Sequence, residues 1–384
     1  MTSPPPPPQG GRELAAVVRL PGLDLMRAAA IMMVVGHHGS ELLVGPPPLP
    51  FWFELGRLGV DTFFALSGFL VGGMVFRAGD ALAQPPVLAG FLVGRWLRTL
   101  PLYYFILLVR QLLRILLYDL PPQPWSVVGT YAAFGQNLAW PMPAYFIESW
   151  SLAVEEWFYL LLPLLVWLGV RAGLRGRVGF GLAVTVLLAG PMLCRVLVPG
   201  PAGSEHQLSH IVVHRLDAIA WGVLAAALAA NWPAPWRRLS RSALILGLGL
   251  VGACYITTGP RAALDSPWMS SLHLSVSGLG LALLLPWAAT MTSIGPAWWS
   301  GTVERIARWS YSMYLTNLLV AGMLSNWLAH ARPAMGLAER LAWAGLYLLG
   351  TILVSAGLWR WIEAPPLRWR KHLGVYRRFA AVTR

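Results

Sequence analysis

Charge and sulfur are what this sequence has least of. Only 12% of its 384 residues are charged, where a soluble domain carries about a quarter. Its two cysteines, Cys194 and Cys254, both lie in apolar runs, which excludes a disulfide framework and a cysteine zinc site and leaves the redox compartment open. There is no internal repeat, and no polar stretch between apolar blocks is long enough to hold a separate soluble domain.

What fills the chain is hydrocarbon. Hydrophobic residues make up 57% and the mean hydropathy is +0.59. Apolar blocks of about 20 residues recur from end to end, the length a spanning helix needs. The expected fold is all-α, a polytopic membrane bundle with spans at 24–44, 58–77, 99–118, 147–170, 178–198, 211–230, 242–258, 273–294, 309–330 and 341–362. With the N-terminus inside, the cytoplasmic segments hold 19 of the 29 basic residues, and the other face holds Arg57, Arg261, Arg332 and Arg340. That asymmetry puts both termini in the cytoplasm. It also accounts for the net charge of +13 by contact with anionic headgroups of the lipid bilayer, without nucleic acid. Residues 1–19 read as a disordered Pro/Gly-rich tail, 20–364 as the transmembrane domain and 365–384 as a basic cytoplasmic tail.

The first span keeps polar residues that a purely structural helix would shed. In "LDLMRAAAIMMVVGHHGSELLV", the eleven steps from Arg27 to His38 turn a helix through three turns and about 20°, so both share one face about 16 Å apart. Asp24 and Glu41 fall within about 60° of Arg27, and His37 points about 80° away. Such a stripe should face the bundle interior or a watery pocket, although a buried pairing network that ties helices together would satisfy the same pattern. Counting depth along the helices puts His38 in one outer layer with Asp61, Ser67, Glu155, His214, Arg215 and Asp217. Arg95 and Arg98, spaced i and i+3, lie at the inner rim beside Arg27. The expected site is a single passage, cationic at its cytoplasmic mouth and centred on histidine further out.

Those two ends suit acyl transfer. Arginine forks would hold the phosphates of an acyl-CoA thioester, and the spacing from Arg27 to His38 is comparable to an extended pantetheine arm. His38, oriented by Glu155 or Asp61, would take the proton of a hydroxyl acceptor. It could instead carry the acyl group covalently.

Seven segments, in order, carry a resemblance. "LDLMRAAAIMMVVGHH" resembles an Arg-x10-His motif, "GVDTFFALSGFL" a second-span signature, "RWLRTLPLYY" an Arg-x-x-Arg followed by proline, "SWSLAVEEWFYLLLP" a Trp-Ser-Leu-x-Val-Glu segment, and "RLDAIAWGVLAA" an Arg-Leu-Asp segment. "WSYSMYLTN" and "WIEAPP" resemble two C-terminal signatures. Together they resemble the acyltransferase-3 family of integral membrane acyltransferases. The resemblance implies a ten-helix enzyme of the cytoplasmic (plasma or inner) membrane. It moves an acyl group, usually acetyl, from cytoplasmic acyl-CoA (acetyl-CoA, a co-substrate with no permanently bound cofactor) to a hydroxyl of a glycan, glycolipid or small-molecule acceptor. Arg27, Arg95 and Arg98 would hold the donor, His38, Glu155 and Asp61 would do the chemistry, and Trp150, Ser151, Arg215, Asp217 and Asn317 would meet the acceptor. Family members often carry histidine where this chain has Asn317. The sequence also stops soon after its last span, so the extracytoplasmic hydrolase-like domain of some relatives is not expected.

Alternatives remain at several positions. Ser67 beside Gly68 reads as a nucleophile or, more simply, as helix packing. His206, His210, His214 and Asp217 could line one helix face as a metal site, but no Cys partner or His-Glu-x-x-His pattern supports it and no metal is expected. Arg110 and Arg114 pair with lipid or with carboxylate. Trp52, Trp125 and Trp140 form an interfacial belt or line a sugar site. The intramembrane charges would also serve a transporter or flippase, though neither inverted repeats nor unwound helices are visible. A structural scaffold would not explain charges retained at matching depths.

Overall fold

The computed structural model describes residues 20–44, 50–197, 209–258, 267–328 and 335–383. The tail 1–19, His206, Arg261 and Arg332 lie outside the described residues, as do the side chains of Glu41 and Trp52. Among the described residues every regular element is helical. The long helices are α1 (Pro21–Val44), α2 (Pro50–Ala78), α3 (Pro85–Leu116), α5 (Ser149–Arg171), α6 (Gly176–Leu197), α9 (Ser240–Thr258), α12 (Ala297–Leu328) and α13 (Leu337–Leu358). Between and after them come α4 (Trp125–Ala132), α7 (Leu216–Asn231), α8 (Pro233–Arg238), α10 (Pro267–Ala282), α11 (Leu285–Thr290), α14 (Ala364–Trp369) and α15 (Gly374–Val382). Proline opens several of them, since its missing N–H is one that a helix start leaves unpaired anyway.

Each expected span overlaps a helix, but among the described residues six segments are both long and apolar enough to cross a membrane: Leu55–Ala83, Pro85–Leu116, Ser149–Arg171, Gly176–Leu197, Leu272–Thr290 and Leu337–His372. Helix α7 and the described part of α9 are apolar but shorter. Large apolar side chains cover their outer faces, among them Leu108, Leu112, Val186, Leu193, Ile245 and Leu353. That is how a bundle presents itself to lipid rather than to water.

Three boundaries differ from expectation. Helix α3 begins at Pro85 rather than at residue 99, so Arg95 and Arg98 ride inside a long helix that runs through Pro101. The span expected at 211–230 is broken: Val212–His214 form a 3-10 turn, and α7 starts only at Leu216. The backbone N–H groups of Val212 and Val213 donate to the carbonyls of Asn137 and Leu138 at 2.9 and 3.2 Å, and Asn137 Nδ2 reaches His210 O at 2.5 Å, so a loop supplies the partners a helix would have. The eighth span stops at Ala282 and resumes at Leu285, where Pro286 has no N–H to continue it.

Helix α2 is the centre. It packs on α1 along one side and on α7 along the other. Phe64, Leu66, Val71 and Val75 are buried on it. The approach to α7 depends on two glycines: a Cβ on Gly68 would strike the carbonyl oxygen of Ile219, and one on Gly222 would strike that of Ala65. Small residues at a crossing let backbones touch, which is how membrane helices gain contact. Ser67 is therefore not the packing residue; its neighbour is.

Gly222→Val should push α2 and α7 apart and cost about 1–3 kcal/mol, read as a lower thermal-unfolding midpoint of detergent-purified protein. Gly249→Val, on α9 with open space around it, should leave the midpoint unchanged.

Candidate active site

Two cavities lie end to end in the bundle. The larger, about 540 Å³, is lined by Arg27, Arg77, Arg95, Arg98 and Arg370 around Ser67, Glu155 and Tyr159. The three expected donor arginines thus come together as the sequence spacing indicated. Arg27 is held by Asp24 at 3.2 Å, one turn earlier on α1. Arg95 lies over the ring of Tyr159, 4.4 Å from its centroid, and Arg98 makes no hydrogen bond or ion pair to any described residue. Helix α5 sets the only carboxylate among the described residues that line this cavity: Glu155 accepts from Ser67 Oγ at 3.0 Å and from Tyr159 OH at 2.9 Å. Glu156, one residue on, faces away and accepts from Thr99 Oγ1 at 2.6 Å.

The smaller cavity, about 200 Å³, is lined by His37, His38, Arg57, Glu148, Trp150, His210 and Arg215. His38 does not meet a carboxylate there. Its Nδ1 lies 2.5 Å from Asn317 Oδ1. The amide's orientation is fixed from behind, because Asn317 Nδ2 donates to the carbonyls of Met313 at 2.9 Å and Tyr314 at 2.7 Å. Its oxygen must therefore face the ring, so Nδ1 carries the proton and Nε2 keeps the lone pair. This tautomer is assigned from the hydrogen-bond network.

The expected His38 partners are engaged elsewhere. Glu155 belongs to the arginine cavity, so the layer counted from span ends does not hold for it or for Ser67. Asp61 is paired with Arg215, both buried, and Arg57 stands 3.9 Å from its other oxygen. Asp217 lines neither cavity. It pairs with Arg195, with Nη1 and Nη2 at 3.0 and 2.7 Å from the two carboxylate oxygens, and accepts from Ser275 as well. His210, His214 and Asp217 fall on a turn, a 3-10 turn and a helix, not on one helix face.

The side chains expected along one passage line two cavities, and Val60 and Tyr314 line both, so they lie where the two adjoin. Tyr314 is locked in place: its OH donates to Glu148 O at 3.0 Å and accepts from Ser151 Oγ at 2.6 Å. Ser151 thus braces Tyr314 and lines the arginine side, whereas Trp150 lines the histidine side against His210, ring centroids 4.4 Å apart. Arg110 resolves to a protein partner, Glu148, under Phe146, and Arg114 Nε donates to Pro121 O at 3.1 Å. Nearby, outside the spans, burial raises the phenols of Tyr131 and Tyr145 above the usual tyrosine range and keeps them as donors, to Pro143 O at 2.6 Å and Leu107 O at 3.4 Å.

Sequence reasoning missed Tyr311, Tyr314, Arg195 and Arg370. The two tyrosines had a signal, since "WSYSMYLTN" puts them at i and i+3 on one face. Arg195 and Arg370 had none, because their partners are far away in the chain. In "WIEAPP" the helix widens to a π turn, Trp359–Glu363, which turns Glu363 inward to accept from Ser312 Oγ at 2.9 Å.

Comparison with known proteins bears on this site. The acyltransferase-3 family model, described as an acyltransferase domain, matches residues 20–360. The chain is similar to the peptidoglycan O-acetyltransferase of Listeria monocytogenes, 25% identical over 90% of this chain and 55% of that protein. It is similar to a putative O-acetyltransferase of Staphylococcus aureus, 28% identical over 56% of this chain, and to a putative peptidoglycan O-acetyltransferase of Bacillus subtilis, 28% identical over 59%. The chain spans about half the length of the first and 35% of each of the others. No solved structure matches.

Asp217→Leu should strand a buried Arg195 and cost about 3–5 kcal/mol, seen as loss of folded protein on size-exclusion chromatography. Glu155→Gln keeps its hydrogen-bonding shape in an open cavity and should elute as wild type.

Proposed function

Because the chain belongs to the acyltransferase-3 family, we propose that it is a membrane-embedded O-acyltransferase, moving an acetyl group from acyl-CoA to a hydroxyl of a glycan of the peptidoglycan kind. The observation that carries the reading is an arginine-lined cavity and a histidine-lined cavity that share Val60 and Tyr314 in their lining. We take the arginine side as cytoplasmic, with ten spans and both termini on that side, in the plasma or inner membrane.

On this reading Arg27, Arg95 and Arg98 hold donor phosphates by charge-assisted hydrogen bonds. The thioester arm runs along α1 toward Tyr314, and the acceptor hydroxyl lies in the smaller cavity. His38 Nε2 takes the hydroxyl proton as the oxygen attacks the thioester carbon. The C–S bond breaks, and the thiolate leaves and is protonated to the free thiol. Asn317 supports this by accepting from Nδ1–H, which presents Nε2 as the base and stabilises the imidazolium that forms. A histidine at position 317 would have a tautomer of its own; the amide here has a fixed acceptor.

His38→Ala should slow transfer by about 10²–10⁴-fold with donor binding retained. The assay incubates membranes with labelled acetyl-CoA and follows label into the glycan fraction. Transfer by His38→Ala at the wild-type rate would remove the base from this account, and label appearing in no acceptor fraction with wild-type protein would remove the acyltransferase reading.

A further inference from the structure

The arginine cavity is long, and its two ends differ. Val60 and Arg77 both line it and both lie on α2, seventeen steps apart, which is about 25 Å of helix. Val60 marks the junction with the histidine cavity. Arg77 marks the far end, where its Nε donates to Thr383 O at 2.8 Å. That carbonyl belongs to a strap: after α13 the chain turns through α14 and returns as α15 along α3, and Arg370, Tyr376 and Phe379 of this strap line the cavity.

The docking is cut into α3. A Cβ on Gly90 would strike the carbonyl oxygen of Val375, and one on Gly94 would stand 2.7 Å from the Tyr376 ring. Arg370 Nη1 donates to Gly94 O at 2.9 Å, and its guanidinium lies 5.0 Å from the centre of the same ring. Tyr376 is thus fixed between the α3 backbone and a cation. Phe379 is committed to packing, since it is buried and meets Phe91 edge to face at 5.5 Å. Tyr376 is only half-buried, so its ring is the aromatic surface that the strap presents to the cavity.

A thioester donor laid with its acyl carbon at the junction fills the cavity in a set order. Its arm, comparable to the roughly 16 Å from Arg27 to His38, ends well short of Arg77. Arg98 and Arg95 come next for the phosphates, and the lining residues beyond them toward the start of α3 are Gly94 and Phe91, under the strap. What remains of the donor at that level is its nucleoside, which carries a flat aromatic base.

We propose that Tyr376 stacks on the nucleobase of the donor, so that the strap forms a base subsite at the end of the cavity farthest from His38. The inference rests on the donor reading above and adds to it a binding residue outside the spans. Stacking reads a π-face rather than a hydrogen-bond pattern, so a base modified at its edge is held as well.

The test therefore uses etheno-coenzyme A, in which a bridge on the adenine makes the base fluoresce, with the purified full chain. Bound to wild type, the base should be shielded from acrylamide quenching. Tyr376→Leu should weaken binding by about tenfold, the worth of one base–aromatic stack, and leave the bound base open to acrylamide. Tyr376→Phe, which keeps the ring, should match wild type in both readouts. A base as open on wild type as in free solution overturns the proposal, and so does shielding that survives Tyr376→Leu. Loss of all binding in Tyr376→Leu, or a Tyr376→Phe that behaves like it, overturns it too, as the mark of a strap that only braces the cavity. Binding of neither the probe nor coenzyme A by wild type sinks the donor reading along with it.

Discussion

A guanidinium held away from water must find a carboxylate, a carbonyl or a cavity, and this bundle is arranged around that demand. Three arginines are ion-paired with buried carboxylates: Arg195 with Asp217, Arg215 with Asp61 and Arg110 with Glu148. Each pair joins elements distant in sequence, so each also fixes how helices and loops sit against one another. Among the described residues Arg95, Arg98 and Arg370 form no ion pair, and all three line one cavity. Position in the chain does not separate the two groups, since Arg195 and Arg98 both lie in apolar helices. Only the presence of an acid across the interface does.

The carboxylates follow the same division. Asp61, Glu148 and Asp217 are buried against arginine. Glu155 instead accepts two hydroxyls and lines the arginine cavity unpaired with any cation at bonding distance, so its charge is available to whatever enters. His38 is held by a neutral amide whose own donors are spent on backbone carbonyls. An amide gives the ring direction without the strong pull on its proton that a carboxylate exerts.

Much of this was legible in sequence. Helical rise and turn placed Arg27 and His38 on one face, and both line cavities, at opposite ends of one helix. The i, i+3 spacing brought Arg95 and Arg98 to the same mouth. Depth was less legible: counting residues from span ends treats every helix as starting level, whereas α3 begins at Pro85 and α5 enters after the turn at Glu148. That moved Glu155 into the arginine cavity. The break before Leu216 was hidden because its cause, the carbonyls of Asn137 and Leu138, lies in another loop. Arg370 sat in what read as a basic tail; its place depends on Gly90 and Gly94, whose small size matters only once α15 lies on top of them.

The junction lined by Val60 and Tyr314 has an electrical side. A continuous column of water through the bundle would be a conductor, and each elementary charge leaking through it would release about 2.3 kcal/mol per 100 mV. An aromatic ring pinned between the Glu148 carbonyl and the Ser151 hydroxyl stands where such a column would pass. Any exchange between the two cavities has to pass that ring.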